Sequence, residues 1–245
     1  MIVYKVLRVL IHLFAGLWTC AAVFPLTDAA GRERHIRHWS IKLLAICNVR
    51  VKITDMTGGK IVARALMVAN HVSWLDIFVI NSLRPCRFVA KSDIRDWPLI
   101  GWLCEKTGTV FIARGRQRDV RRIYEGLVAG IHAGEHVAFF PEGTTAAQGT
   151  LLPFHANLFE AAIDAEVLIQ PYALRYVDAV GNLHPAADFL GDMTFAQSII
   201  SILKAGAITA ELMLLPPIET GGAHRRELAG AARSSIGTAL GYPND

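Results

Sequence analysis

Residues 65–83 read ALMVANHVSWLDIFVINSL. A short apolar run, ALMVAN, is broken by a polar turn at His71–Ser73 and resumes as an apolar stretch over 74–83. That pattern predicts a buried strand running directly into a helix. The same alternation continues outward in both directions. NVRVKIT, RFVA, TVFIA, HVAFF, VLIQPYALRY and AITAELMLL read as further strands, and residues 98–107, 117–133, 153–165, 193–204 and 223–240 as the helices between them. Strands alternating with helices give an α/β class, with a mixed, largely parallel sheet flanked by helices. At 245 residues the chain has length for one such domain and a small appendage.

The appendage lies at the N-terminus. Val9–Leu26, VLIHLFAGLWTCAAVFPL, barely reaches the length of a bilayer span, so spanning and lying flat are both open. A cleaved leader is a further reading, with Lys5 and Arg8 as its basic region and Cys20–Ala22 as a poor cleavage site. Residues 31–49 follow with Ile36, Trp39, Leu43 and Ile46 or Cys47 at helical spacing, suited to a membrane interface or to packing on the domain. Residues 1–60 hold nine basic side chains against three acidic ones, whereas the whole chain is only +4. The basic excess therefore sits beside the most apolar segment, where it can meet anionic headgroups. Hydrophobic residues make up 53% of the chain and mean hydropathy is +0.36, which suits a membrane-surface protein better than a bundle of spanning helices. No basic face interleaved with aromatic residues points to nucleic acid. The cysteines, at positions 20, 47, 86 and 104, form no CxxC pair and read as reduced core or membrane residues.

Chemistry concentrates where strands end. On the turn after ALMVAN, His71 and Asp76 are spaced so that the carboxylate can hold the imidazole in one tautomer, with Ser73 as helix cap. An imidazole so held can take the proton of an alcohol as its oxygen attacks a thioester. After HVAFF come Pro141, Glu142, Gly143, Thr144 and Thr145. Glu142 can contact an acceptor or orient a neighbour, and the amides of Gly143 and Thr144 can bind phosphate or a developing oxyanion. Gly108–Arg114 is a strand that delivers an arginine at its end, and Arg114 suits bidentate phosphate contact. Pro171 interrupts another strand, predicting an edge, a bulge or the floor of a cleft. The other histidines lack metal-ligand spacing, so no metal is expected.

These four stretches resemble, in order and separation, the four blocks of the 1-acylglycerol-3-phosphate acyltransferases within the wider glycerolipid acyltransferases. NHxSxxD corresponds to Asn70–Asp76, GxxFIxR to Gly108–Arg114, FPEGT to Phe140–Thr144, and the proline block to Ile169–Pro171. The resemblance covers about residues 45–215. It implies a general base at His71 oriented by Asp76, acceptor-phosphate contact by Arg114, and acceptor binding by Glu142 and Gly143. It further implies membrane-embedded N-terminal helices over 1–49 ahead of an acyltransferase domain over 50–245. The expected reaction moves a fatty acyl group from acyl-CoA or acyl carrier protein to the sn-2 hydroxyl of 1-acylglycerol-3-phosphate, giving phosphatidic acid. No cofactor beyond the thioester co-substrate is implied, and the expected location is the inner membrane with the catalytic domain on the cytoplasmic side.

Two positions depart from the family pattern. Thr145 stands where arginine is frequent, which makes another lyso-lipid, such as lyso-ornithine lipid, a credible acceptor. Gln170 stands where an apolar residue is usual. A lipid esterase is disfavoured because no GxSxG elbow occurs. A non-catalytic lipid-binding membrane protein is the alternative outside enzymology, with Thr145 as its support.

Overall fold

A computed structural model describes residues 2–59, 62, 64–112 and 117–243, with backbone alone for 117–123. Seven strands form one sheet: β1 (Val49–Asp55), β2 (Ala65–Ala69), β3 (Arg87–Lys91), β4 (Val110–Ile112), β5 (Val137–Phe139), β6 (Leu168–Val177) and β7 (Ile208–Leu214). Their order is β1-β7-β6-β2-β5-β3-β4, and every neighbouring pair is parallel except β6 and β7. The expected class, mixed and largely parallel, is the observed one. All five residues of β2 are buried, because helices cover both faces of a central parallel strand.

The helices are α1 (Ile2–Trp18), α2 (Ala29–Ile46), α3 (Leu75–Leu83), α4 (Ile100–Lys106), α5 (Gln117–His132), α6 (Glu160–Asp164), α7 (Phe195–Lys204) and α8 (Arg225–Leu240). One core on the α3 face joins Leu75, Val79 and Ile80 to Met67, Leu174 and Leu212. The opposite face gathers Leu66, Val68, Ile131, Phe159 and Leu228.

Helix α2 packs on the domain rather than standing apart from it. Leu43, Leu44 and Cys47 are buried in the α3-side core, and Arg37 Nε donates to the Ser82 carbonyl at 2.9 Å. The helix stops at Asn48, whose φ of +57° turns the chain into β1. That ends it before the expected limit of residue 49, because Val49 already pairs with Ile208.

Helix α1 continues through a wider turn at Thr19–Val23 and a tighter one at Phe24–Leu26. Ile2, Val6 and Val9 pack against the core. His12 and Trp39 stack with ring centroids 4.5 Å apart, and each side chain bonds the other's backbone carbonyl. Gly16 allows this approach, since a Cβ there would lie 2.6 Å from the Trp39 indole nitrogen. The outer face keeps Val3, Tyr4, Leu7, Ile11, Phe14 and Trp18 exposed. Among the described residues, Ile2–Leu26 is the one helical stretch long and apolar enough to cross a membrane.

Pro171 does not mark a sheet edge. It lies in β6 between β2 and β7, opposite Val68 on one side. On the other side Leu215 N donates to the Pro171 carbonyl at 3.0 Å. The return bond would need a proline N–H, which does not exist. Gln170, only 4% exposed, supplies the missing donor by directing its Nε2 to the Leu215 carbonyl. The polar residue at 170 therefore repairs the ladder that proline breaks.

Candidate active site

Strands β2 and β5 are parallel neighbours, so their C-terminal ends deliver Asn70–His71 and Phe140–Glu142 to the same place. Asn70 fixes the level of the turn. Its side chain donates to the Leu174 carbonyl and accepts from Leu174 N, both at 2.8 Å, continuing the β2–β6 ladder one step past the strand.

His71 is held on every side but one. Its backbone N–H donates to Glu142 Oε1 at 2.7 Å, and its carbonyl accepts from Ala146 N at 2.8 Å. Its ring stacks on Phe140 at 4.0 Å, and Phe140 stacks in turn on Phe88. Nδ1 lies 2.8 Å from Asp76 Oδ2. Because an ionised carboxylate only accepts, Nδ1 carries the proton and Nε2 keeps its lone pair. Nε2 has no protein partner among the described residues, and the side chain is 19% exposed.

Asp76 is 0% exposed, and a bare carboxylate buried to that degree would be costly. Four donors satisfy it. Oδ2 accepts from His71, from Val72 N at 2.7 Å and from Ser73 N at 2.9 Å, while Oδ1 accepts from the Tyr176 hydroxyl at 2.6 Å. Asp76, in the first turn of α3, thus reaches back to two amides of the turn that precedes the helix, and the capping role expected of Ser73 is not seen, because the helix start has no side-chain cap. The Ser73 hydroxyl is buried with no hydrogen-bond partner.

The loop after β5 is differently employed than expected. Glu142 is 4% exposed, and its second oxygen accepts from Leu152 N at 2.9 Å. Burial pushes its carboxyl above the usual range, against the opposing pull of the amides of His71 and Leu152. Of the two roles expected of Glu142, orienting a neighbour is the one this geometry favours. Gly143 has φ +68°, and its N–H closes a turn onto the Phe140 carbonyl at 3.0 Å, so that amide is not free for a ligand. A Cβ at Gly143 would press on the His155 ring at 3.3 Å. Thr144 is exposed, and its amide has no acceptor among the described residues. The Thr145 hydroxyl is spent on the Phe189 carbonyl. Arg114 lies outside the described residues.

Tyr176 and the stacking face of Phe140 are the parts that motif reading missed. Tyr176 sits a hundred residues from Asp76 in a stretch legible only as a strand, so no local signal could have linked them. Burial pushes Cys47 up to about 12 and Cys86 higher still, and both lie in the core.

Residues 50–175 match the protein-family model described as Acyltransferase. The lyso-ornithine lipid O-acyltransferase of Pseudomonas aeruginosa is 38% identical over 210 residues, which span 85% of this chain and 79% of that one. The 1-acyl-sn-glycerol-3-phosphate acyltransferase of Neisseria gonorrhoeae is 41% identical over 141 residues, 57% of this chain and 55% of its relative. The crystal structure of the 1-acyl-sn-glycerophosphate acyltransferase PlsC from Thermotoga maritima superposes with a TM-score of 0.65, covering 97% of this chain and 96% of that one. At 18% identity, that last likeness is one of fold.

Proposed function

This chain belongs to the acyltransferase family, and from that premise we propose that it moves a fatty acyl group from a thioester, acyl-CoA or acyl carrier protein, to the hydroxyl of a lyso-lipid. The observation that carries this reading is the His71–Asp76 pair with an open Nε2. Nε2 removes the acceptor's hydroxyl proton while the oxygen attacks the thioester carbonyl. Asp76 stabilises the imidazolium that forms. The tetrahedral oxyanion collapses, the C–S bond breaks, and the thiolate leaves with the proton returned from His71. The Thr144 amide is the donor available to the oxyanion.

For the acceptor, 1-acylglycerol-3-phosphate, giving phosphatidic acid, is one reading, with Arg114 on the phosphate. A specific observation favours lyso-ornithine lipid instead. At 145 the family's frequent arginine is replaced by a threonine whose hydroxyl is already engaged with Phe189. The loop therefore adds no cation for a phosphate, and the relative matched over 85% of this chain carries the ornithine-lipid activity. The exposed apolar face of α1 suits a lipid surface, where both acceptors reside.

The test is acyl transfer by purified protein in lipid vesicles, with both thioesters and with lysophosphatidate and lyso-ornithine lipid in parallel. Turnover of one acceptor with loss of ~10²–10⁴-fold in His71→Ala is expected. Wild-type turnover in His71→Ala would refute the base assignment. A preference for lysophosphatidate would refute the ornithine-lipid reading alone.

A further inference from the structure

Asp76 Oδ1 has one partner among the described residues, the Tyr176 hydroxyl at 2.6 Å, while three donors crowd onto Oδ2. Both side chains are 0% exposed, so no bulk water competes for either atom. Tyr176 cannot drift. Its N–H donates to Gln148 Oε1 at 2.7 Å, its carbonyl accepts from His184 N at 2.9 Å, and two residues earlier Leu174 is clamped to Asn70. Strand β6 therefore presents the phenol at a fixed height over the carboxylate that holds His71.

From this arrangement we infer that Tyr176 is a positioning residue of the acyl-transfer reaction, setting how strongly Asp76 holds the His71 imidazole without itself touching substrate. The inference rests on the His71 base reading. A hydroxyl donating to Oδ1 draws electron density from the carboxylate and limits its basicity toward Nδ1–H. Without that bond the buried oxygen is unsatisfied, its seat against the ring loosens, and the full carboxylate charge falls on the Nδ1–H bond, raising the proton affinity of the imidazole. Burial foremost, and then the Asp76 charge, push the Tyr176 phenol well above its ordinary value, so it remains a donor across the working range. Among the described residues, Glu142 is a further titratable group acting on the pair, since its carboxylate feels both His71 and Asp76. It is unchanged in every variant below.

The experiment compares Tyr176→Phe with protein carrying 3-fluorotyrosine at position 176, assayed in the same vesicles as wild type. Tyr176→Phe is expected to melt cooperatively, to lose about 10- to 100-fold in kcat with the lyso-lipid KM unchanged, and to move the acid limb of the pH profile upward. The fluorinated phenol keeps the shape and donates more strongly, so it moves that limb downward. A folded Tyr176→Phe with wild-type kcat and limb overturns the inference, and so does a limb that fluorination leaves in place. If Tyr176→Phe fails to fold, the fluorotyrosine protein alone decides. Activity retained in His71→Ala would instead sink the base reading itself. Loss in His71→Ala with no response to either tyrosine change sinks only the role of Tyr176.

Discussion

The imidazole of His71 lies flat on the ring of Phe140, with centroids 4.0 Å apart and planes 9° from parallel. Asp76 fixes where Nδ1 points, and the stack fixes the plane in which the ring turns. Together they leave Nε2 a single direction. Phe140→Leu keeps apolar volume but removes the flat face, and aromatic contacts of this kind are worth ~0.5–1.5 kcal/mol. Loss of about 3- to 10-fold in kcat is expected, with KM for the lyso-lipid near wild type. Steady-state kinetics with varied acceptor separate the two, and an unchanged kcat would show that Asp76 alone orients the ring.

Asp76→Asn retains the shape and acceptor oxygen of the side chain but removes its charge. An amide cannot accept from His71, Val72, Ser73 and Tyr176 at once, since one of its two ends donates. With its NH2 at the Oδ2 position the Val72 and Ser73 amides lose their acceptor and the ring is driven into the tautomer with its proton on Nε2, and with its NH2 at the Oδ1 position the Tyr176 hydroxyl loses its acceptor. A fall of ~10²–10⁴-fold in kcat follows, as expected of a base held in the wrong tautomer. Circular dichroism should show the helices intact. Near-normal turnover would mean that Asp76 serves only the turn before the helix.

Much of this arrangement is written locally in the chain. The seven apolar runs became the seven strands because each is bounded by turns and too short for a buried helix, and His71 and Asp76 meet because they lie five positions apart across one turn. What could not be read is whatever depends on strand order. Tyr176 reaches Asp76 only because β6 lies beside β2, and Phe140 reaches His71 only because β5 lies on the other side. Ser73 misled for a different reason. A serine before a helix is a good cap in isolation, but here the Ser73 hydroxyl is buried without a partner while its own amide turns onto the Asp76 carboxylate.

Gln170 and Pro171 offer a test of the repaired ladder. In Gln170→Leu the Leu215 carbonyl loses its donor in a buried setting, at a cost of ~1–3 kcal/mol. For a chain of this size, each kcal/mol lowers the melting midpoint by roughly 2–4 °C. Pro171→Ala restores a backbone N–H opposite the same carbonyl. The glutamine should then be dispensable, so Gln170→Leu should cost far less in the Pro171→Ala background. Equal costs in both backgrounds would show that Gln170 acts through packing and not through the carbonyl.

Glu211 joins three strands across one face of the sheet. It sits on β7 in register with Lys52 of β1 and Arg175 of β6, bonding the first at 2.9 Å and the second at 2.7 Å. The Lys52 hydrogen bond foremost, aided by Arg175, holds its carboxyl below the ordinary range against a smaller upward push from burial. A carboxylate depressed in the folded state stabilises the fold fully above its unfolded value of ~4.3, and that stabilisation is lost as pH falls through the lower folded value. Glu211→Gln should therefore unfold more easily than wild type at pH 7, by about 1 kcal/mol given the exposure of Lys52. The gap should close as pH drops below the ordinary carboxylate value, where wild-type Glu211 takes up its proton and the pairing ends. Melting midpoints of the two proteins measured from pH 7 to 3.5 would reveal this convergence, whereas a constant offset would mean that the charge on Glu211 contributes nothing to holding β1, β7 and β6 together.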